Sequence, residues 1–418
     1  MAQISKKSPP PETLSEDAKV PSFGDVLKNR DFLYLWVGQI FSQLPDKVFI
    51  VLAVALMAAH FKEAGASLQS AFFVAHSMPA ILFGSLAGVF VDRWSKKNVL
   101  VFSNILRGIL VLLLPLLPDS FAYILLITFL VSTLTQFFAP AETSAIPLIL
   151  PRKYLLIGNS LFTATMSGSI VFGFALGAPA LALVGGADHG HWLVGGAYLL
   201  SGLILSLVRT GEGNNQTEEQ TSPWADLKEG LDYIRGNKIV QAALIQLLVL
   251  YSLLAALNIL SIRLTKKLGL QDEQFGFLLA ATAVGFALGT WGLGRYGQRF
   301  ARSRLAVTGS LVIAFTLGCI AFVSNVWGVL ALCVLMGSAF ALVMAPMQTA
   351  IQEETPEDLR GKVFGLQNNV VNIASTVPMA LAGIAVDLFG LQPVILGLSA
   401  VSLGAAFISQ KTRLAKSN

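Results

Sequence analysis

Two adjacent charged residues, Asp46 and Lys47, lie near the middle of the apolar stretch 32–58. That stretch is long enough to cross a bilayer, where a charge costs at least about 2.5–3.5 kcal/mol on insertion scales. Each charge therefore needs a water-filled cavity or a polar partner, so both residues are candidates for binding a substrate or a proton. Because neighbouring residues on a helix point about 100° apart, at most one of them faces such a cavity directly.

Four further polar residues lie in apolar stretches and complete the candidate substrate- and proton-binding set. Glu142 follows Pro140, a residue type that distorts helices, and Glu142 could bind substrate or anchor a gate. The amides of Gln136, Asn258 and Asn369 supply polarity without charge. Most amides in such positions form hydrogen bonds between helices, and in a cavity they would also contact substrate.

Arg107 and His76 are also polar residues within apolar stretches, and we expect structural roles for both. The long side chain of Arg107 can extend to the membrane surface, although pairing with an acidic residue is the alternative. His76 is expected to be a hydrogen-bonded packing histidine. Cys319 and Cys333 lie in apolar runs, and the four histidines show no metal-ligand spacing, so we expect no metal, no cofactor and no enzymatic activity.

The composition of the chain indicates whether water or lipid surrounds it. The chain has 418 residues, of which 54% are apolar and 13% are charged, with a mean hydropathy of +0.68. Soluble domains carry roughly 25% charged residues, so this chain has too few to cover a soluble globule. We read twelve apolar stretches of membrane-spanning length, at 32–58, 68–91, 98–117, 119–143, 157–184, 191–208, 239–264, 273–294, 304–323, 326–350, 362–386 and 390–409.

The distribution of basic residues predicts the orientation of these spans. With the N-terminus inside, only four of the 29 Lys and Arg residues fall in outward loops. Two more lie within spans, and all the others lie in or beside inward segments. We therefore expect a multi-pass protein of a bacterial plasma (inner) membrane with both termini in the cytoplasm. The four outward residues are Lys62, Arg263, Lys266 and Lys267.

The hydrophilic segment 209–238 divides the spans into six before and six after. Its first part has the composition of a disordered linker, whereas Trp224, Leu227, Leu231 and Ile234 have the spacing of an amphipathic helix on the cytoplasmic membrane surface. The predicted organisation is a cytoplasmic tail, a first six-helix bundle, this linker, a second six-helix bundle and a second tail. The corresponding ranges are 1–29, 30–208, 209–238, 239–410 and 411–418.

Two regions repeat at one offset of 206 residues, which separates Ala139 from Ala345. The pattern Ala-Pro-x-x-Thr begins at both positions, in the fourth and tenth spans. The second match follows spans two and eight, where Gly88, Arg93, Trp94 and Lys96 correspond to Gly294, Arg299, Phe300 and Arg302. Two matches at the same rank in each half indicate a duplication, a plan found in many secondary carriers.

The segment GVFVDRWSKK at 88–97 resembles the G-x-x-x-D-R-x-G-R-R motif of the major facilitator superfamily, with Ser95 in place of the second glycine. The resemblance covers residues 30–410 and implies an all-α membrane protein with twelve transmembrane helices in two pseudo-symmetric six-helix bundles. It also implies a conformational latch, in which an aspartate lies against the positive end of a neighbouring helix. The latch candidates are Gly88, Asp92, Arg93, Lys96, Lys97, Arg299 and Arg360, the last at the expected start of the eleventh span.

Two branches of the superfamily have similar local segments. NRDFLYLWVGQ at 29–39 and QEETPEDLRGKVFG at 352–365 resemble drug- and siderophore-efflux proteins. QIFSQLPD at 39–46 and FAPA at 138–141 are also similar to bacterial lysophospholipid transporters. Both branches have an aspartate at the position of Asp46, so the resemblance implies that Asp46, and not Lys47, faces the pathway.

These features favour a secondary active transporter that works by alternating access. No nucleotide-binding P-loop sequence is present, so we do not expect ATP to drive it directly. The first hypothesis is proton-coupled export of a small amphipathic compound, drug-like or siderophore-like, and the alternative is a lysophospholipid flippase that needs no protons. We expect a monomer that contacts membrane lipids and a small-molecule or lipid substrate, and no nucleic acid.

Overall fold

The computed structural model describes residues 23–61, 66–116, 120–211, 223–296, 299–356 and 359–414, and this part of the chain is helical without strands. A short helix, α1 (Phe23–Leu27), precedes the first long one. The other helices are α2 (Arg30–His60), α3 (Ala66–Arg93), α4 (Lys96–Leu112), α5 (Phe121–Ile149), α6 (Leu155–Leu183), α7 (Ala187–Ser206), α8 (Pro223–Gly236), α9 (Lys238–Lys267), α10 (Phe275–Tyr296), α11 (Arg302–Phe322), α12 (Val326–Glu354), α13 (Arg360–Phe389) and α14 (Leu391–Leu414).

In the described part, nine helices are long and apolar enough to cross a membrane, judged by length and composition. They are α2, α4 with its following turn, α5, α6 and α9 to α13. Helices α3 and α14 contain shorter apolar segments, Leu68–Gly84 and Leu391–Phe407. Helices suit a bilayer because they satisfy their backbone hydrogen bonds internally.

The sequence explains where several helices begin and end. Asn29, Asn237 and Asn325 each accept hydrogen bonds from backbone N–H groups at the start of α2, α9 and α12. Each apolar stretch predicted above overlaps one long helix, but α5 ends at Ile149 and not near residue 143. It continues although it contains Pro140 and Pro147, and Ala145 and Ile146 of the added turns are buried.

The helices form two groups, α2 to α7 and α9 to α14, with equivalent pairs in contact in each. The pairs α3–α5, α4–α7, α4–α5 and α2–α6 correspond to α10–α12, α11–α14, α11–α12 and α9–α13. Between the groups, α3 packs against α13 and α6 packs against α10. The pairing therefore follows the duplication seen in the sequence.

The helices connect at two opposite ends of the molecule. The basic face carries the connections around residues 94–95, 150–154 and 355–359, and the opposite face carries those around residues 184–186, 268–274 and 323–325. One large buried apolar cluster extends through both groups, and its members toward the opposite face include Phe174 of α6 and Phe275 of α10, whose rings are in contact. A second cluster lies near the basic face, and its members belong to α1, to α2–α7 and to the turns beside them, among the described residues.

Helix α8 forms in the predicted hydrophilic segment and packs against α13 and α9. Lys362 Nζ lies 2.6 Å from Glu229 Oε2, and the Tyr233 hydroxyl donates a hydrogen bond to the Glu354 carbonyl. A Cβ at Gly230 would approach Leu366 Cδ1 to 2.7 Å. The predicted helix is therefore present, and it packs on the second group; the side chains of Trp224 and Leu227 lie outside the described residues.

Candidate substrate and proton site

Arg107 of α4 is fully buried and forms an ion pair with Asp46 of α2. Its Nη1 lies 3.1 Å from Asp46 Oδ1, and the two side chains are 0% and 14% exposed. The Tyr198 hydroxyl of α7 donates a second hydrogen bond to the same carboxylate oxygen. The expectation that Arg107 extends to the membrane surface is therefore wrong, because its charge is compensated inside the helix group.

The surroundings of the Arg107 guanidinium use most of its hydrogen-bonding capacity. It donates to Ser42 Oγ at 2.9 Å, to Asn104 Oδ1 at 2.6 Å and to Thr135 Oγ1 at 3.3 Å. Its Cζ lies 4.6 Å from the ring centre of Phe138 and 4.8 Å from that of Tyr198, in cation–π contact. Such complete satisfaction is what makes a buried charge tolerable.

Hydrogen bonds extend this network to a second contact between α2 and α7. Asn104 Nδ2 donates to Ser201 Oγ at 3.0 Å, and Ser201 Oγ donates to the Gly38 carbonyl at 2.7 Å. A Cβ at Gly38 would lie 2.7 Å from Leu205, so the two helices approach closely there. The network therefore fixes α2, α4 and α7 relative to one another.

Asp46 is consequently directed at α4 and α7, within the first group. Lys47 projects from another side of α2, and within the described residues its ammonium has no ion pair and no hydrogen bond. The Lys47 stem packs on α6, where a Cβ at Gly173 would lie 2.6 Å from Lys47 Cβ. This placement does not support the expectation that Asp46 is the residue of the pair that faces the pathway.

Glu142 of α5 lies near this hydrogen-bond network, on the side of the network that is nearer the basic face. The residue is 2% exposed, and its Oε1 has no hydrogen-bond partner in the described part of the chain. Glu142 follows Phe138 by one helical turn, and the Phe138 ring contacts the Arg107 guanidinium. The structure therefore places Glu142 one helical turn from a contact of the Asp46–Arg107 pair.

His76 of α3 differs from the expected packing histidine. Its ring stacks on Phe72 with the ring centres 6.3 Å apart, but its Nδ1 is buried and has no hydrogen-bond partner among the described residues. The backbone carbonyl of His76 accepts a hydrogen bond from Ser132 of α5. The helix is thus held in place, while one ring nitrogen is left unsatisfied.

The three candidate amides are not part of this cluster of charges. Gln136 Nε2 donates to the Ser132 carbonyl at 3.4 Å, and Asn258 Nδ2 donates to the Leu254 carbonyl at 3.0 Å. Both bonds stay within one helix, so among the described residues these two side chains show no hydrogen bond to another helix. Asn369 is half-buried in α13, in the second group.

The latch candidates lie at the basic face. Arg93 ends α3 and is exposed, and Lys96 and Lys97 begin α4. Helix α13 begins at Arg360, as expected, while the side chains of Asp92 and Arg360 lie outside the described residues. The Arg299 guanidinium lies 5.6 Å from the ring centre of Tyr296.

Ser95 explains how the motif works without its second glycine. Its φ is −62°, a value that any residue adopts, and its Oγ accepts a hydrogen bond from the Asn98 N–H at 3.4 Å. Serine is among the favoured residues at the position before a helix, because its hydroxyl satisfies a free N–H group. The turn between α3 and α4 is therefore closed by capping.

Sequence reasoning missed the roles of Arg107 and Tyr198. A signal for Arg107 was present, since Ser103, Asn104 and Arg107 have the spacing of one helix face within an apolar span. The signal for Tyr198 was weaker, because Ser201, three residues further along the span, is a single neutral polar residue.

Comparison with known proteins places this geometry in a family. Residues 35–265 and 242–415 match the Major Facilitator Superfamily. The chain is 25% identical over 374 residues to the uncharacterized MFS-type transporter YfiS of Bacillus subtilis, covering 87% of this chain and 88% of that one. It is also 25% identical over 331 residues to the multidrug efflux pump Tap of Mycolicibacterium fortuitum, covering 76% and 80%.

A solved structure shows the same fold. A bacterial homologue of the human lysosomal transporter Spinster, in an inward-facing and occupied conformation, superposes with a TM-score of 0.72 at 13% identity. The alignment covers 91% of this chain and 96% of that chain. The repeated helix pairing, the motif at 88–97 and these matches show that the chain is an integral, multi-pass membrane transporter that belongs to the major facilitator superfamily.

Proposed function

We propose that the protein is a secondary active transporter that exports a small amphipathic compound in exchange for protons. The observation that carries this proposal is Glu142, a buried carboxyl group with an unpartnered oxygen near the Asp46–Arg107 pair. An ionised carboxylate with an unsatisfied oxygen is costly inside a membrane protein, and proton binding removes that cost. Glu142 is therefore the proposed proton-binding residue, and Asp46, Arg107 and Tyr198 hold the surrounding helices.

Export is favoured by the relatives of this chain. Tap of Mycolicibacterium fortuitum is a multidrug efflux pump. A lysophospholipid flippase is the competing hypothesis, and no contact described above favours it.

The proposed machinery consists of two six-helix bundles, residues 30–208 and 239–410, that rock about a central site. The segment 209–238 joins them, and 1–29 and 411–418 are tails. Support comes from the equivalent helix pairs in the two groups and from the Phe174–Phe275 contact that joins them toward the opposite face. With the basic face in the cytoplasm of a bacterial cell, as the positive-inside rule requires, this conformation is inward-facing.

The proposed latch would close the basic face in the other conformation. Asp92 would lie against the N-terminus of α13, and Arg93 would pair with an acidic residue there. We expect Asp92→Asn to slow transport several-fold without lowering the amount of protein in the membrane, because the outward-facing state loses a contact. Transport at the wild-type rate and expression level would contradict the latch.

The proposed function is tested with the purified protein in liposomes under an imposed pH gradient. A panel of cationic, anionic and macrolide-type compounds is compared with a fluorescent lysophospholipid. We expect gradient-dependent movement of compounds from the panel and no movement of the lipid. Lipid movement that is independent of the gradient, without movement of any compound, would favour the flippase and overturn the proposal.

A further inference from the structure

Lys47 has an uncompensated charge at the centre of α2. Asp46 cannot neutralise it by direct pairing, because the Asp46 carboxylate is held by Arg107 and Tyr198 on another side of the helix. Within the described residues, the Lys47 ammonium makes no ion pair and no hydrogen bond. A lysine at this depth requires water or an anion, since hydrocarbon does not solvate it.

His76 provides a second, independent unsatisfied group. Its Nδ1 is buried and unpartnered in the described part of the chain, which is unfavourable for a polar atom. Ser132 of α5 donates a hydrogen bond to the His76 carbonyl, and Thr135, one helical turn further along α5, contacts Arg107. Because Arg107 pairs with Asp46, His76 lies near the part of α2 that also carries Lys47. A neutral histidine carries one N–H donor, and the tautomer with that proton on Nδ1 can donate it to a ligand.

The location of Lys47 and His76 is suited to a transported ligand. The Lys47 stem rests on Gly173, and the next residue, Phe174, contacts Phe275 of α10 at the opposite face. His76 belongs to α3, which packs against α13 and α9 of the second group. Both residues therefore lie beside contacts that join the two groups and that must change during transport.

We propose that Lys47 and His76 form the binding site for an anionic group of the substrate, a carboxylate or a phosphate. The anion accepts hydrogen bonds from the Lys47 ammonium and from the His76 ring, which satisfies both at once and neutralises the charge. This inference rests on the proposed function, and it names the substrate as an amphipathic compound with an acidic group. The proton site at Glu142 is separate, so substrate and proton do not compete for one carboxylate.

A pair of fluorescent probes with opposite charge tests this inference in detergent, without a pH gradient. One is dansyl-6-aminohexanoate, which ends in a carboxylate, and the other is dansylcadaverine, which ends in an ammonium. The wild-type protein is expected to prefer the carboxylate probe. Lys47→Met is expected to weaken binding of that probe at least about tenfold, or 1.4 kcal/mol, and His76→Phe to weaken it less.

Two control variants separate a charge effect from a folding effect. Lys47→Arg keeps the charge and is expected to bind the carboxylate probe within a few-fold of the wild type. Lys153→Met removes an exposed lysine elsewhere and is expected to change nothing. Lys47→Gln replaces Lys47→Met if the latter does not elute as a single peak in size-exclusion chromatography.

Competition with lysophosphatidylglycerol then distinguishes the sources of the anion. Displacement of the carboxylate probe assigns the site to a phosphate head group, and no displacement assigns it to small carboxylates. The inference is overturned if Lys47→Met binds the carboxylate probe as tightly as the wild type, or if the wild type prefers dansylcadaverine. In that second case, gradient-driven export of dansylcadaverine would still uphold the proposed function.

Discussion

At the residue scale, the charges in the first helix group divide into a closed pair and two open positions. Arg107 and Asp46 satisfy each other with the help of Tyr198, Ser42 and Asn104. Lys47 and the Glu142 Oε1 atom lack such partners in the described residues. We interpret the closed pair as structural and the two open positions as the sites for substrate and proton.

The structural role of the pair predicts an asymmetry between single and double variants. Asp46→Leu alone leaves the Arg107 charge buried without its partner, which costs about 3–5 kcal/mol. The double variant Asp46→Leu with Arg107→Met removes both charges and is expected to recover much of that loss. Thermal unfolding in detergent measures both, and a single variant as stable as the wild type would contradict the structural role.

The sequence was least informative about the contacts of individual side chains. The polarity of Asp46, Lys47, Glu142 and Arg107 in apolar stretches was visible, and all four proved to be close to one network. The direction of each side chain was not visible, because it depends on the rotation of α2 relative to α4 and α7. The role of Tyr198 could not be predicted, since its spacing to Ser201 does not show that its hydroxyl reaches Asp46.

At the element scale, the contact between α6 and α10 closes the opposite face. Gly276 begins α10 so close to α6 that a Cβ there would collide with the Phe174 carbonyl oxygen. The rings of Phe174 and Phe275 pack edge to face beside it, with their centres 6.1 Å apart. A small residue at 276 is therefore required for this contact between α6 and α10.

Gly276→Ala is expected to shift the protein toward the outward-facing state. The added methyl group forces α6 and α10 apart, so a cysteine in place of Phe174 should react faster with a membrane-impermeant maleimide. A cost of 1.4 kcal/mol to the closed contact corresponds to about a tenfold change in the equilibrium. Native Cys319 and Cys333 are replaced by serine in all of these proteins.

Gly292→Ala serves as the matched control, because Gly292 lies in the same helix and a Cβ there meets nothing within 4 Å. Equal labelling rates in the Gly276→Ala and Gly292→Ala proteins would contradict the role of this contact.

The helices themselves were largely predictable, because apolar length, asparagine caps and basic flanks all point to the same ends. The exception was the end of α5, which was predicted near residue 143 and lies at Ile149. The helix continues because Glu142 is buried in the first group, where it is not exposed at a membrane surface. The charge of Glu142 therefore does not mark the end of α5.

At the scale of the whole molecule, the two groups share a pairing scheme but differ in chemistry. The position equivalent to Asp46 is Ser252, whose hydroxyl donates to the Ala374 carbonyl at 2.9 Å. The position equivalent to Glu142 is Gln348, whose Oε1 accepts a hydrogen bond from Gln367 Nε2 at 2.7 Å. The two positions that are charged in the first group are therefore neutral in the second group, where they hydrogen-bond to neutral partners.

The duplication itself could be predicted from the sequence, since two motifs recur at one offset. The conformational state could not, because both states of an alternating-access protein use the same helices and the same hydrophobic pattern. In the structure, the indication comes from the contact of Phe174 of α6 with Phe275 of α10, which joins the two groups toward the opposite face. With the proposed orientation in the membrane, this is an inward-facing arrangement.

Rocking of the two groups predicts that a crosslink between them blocks transport. Cysteines in place of Phe174 and Phe275, joined by a short bifunctional methanethiosulfonate reagent, are expected to stop transport until a reductant is added. Phe61 and Phe121 have ring centres 5.9 Å apart within the first group, so the same crosslink there should leave transport active. Full transport with the Phe174–Phe275 crosslink would contradict rocking about this contact.

The central claim, that protons drive export through Glu142, is tested most directly by steady-state accumulation of a transported compound in liposomes. A gradient of one pH unit supplies about 1.4 kcal/mol per proton, enough for about tenfold accumulation at one proton per substrate. We predict such accumulation for the wild type and for Glu354→Gln, an exposed control. Glu142→Gln should equilibrate the compound without accumulating it, and accumulation to the wild-type level by that variant would contradict the account.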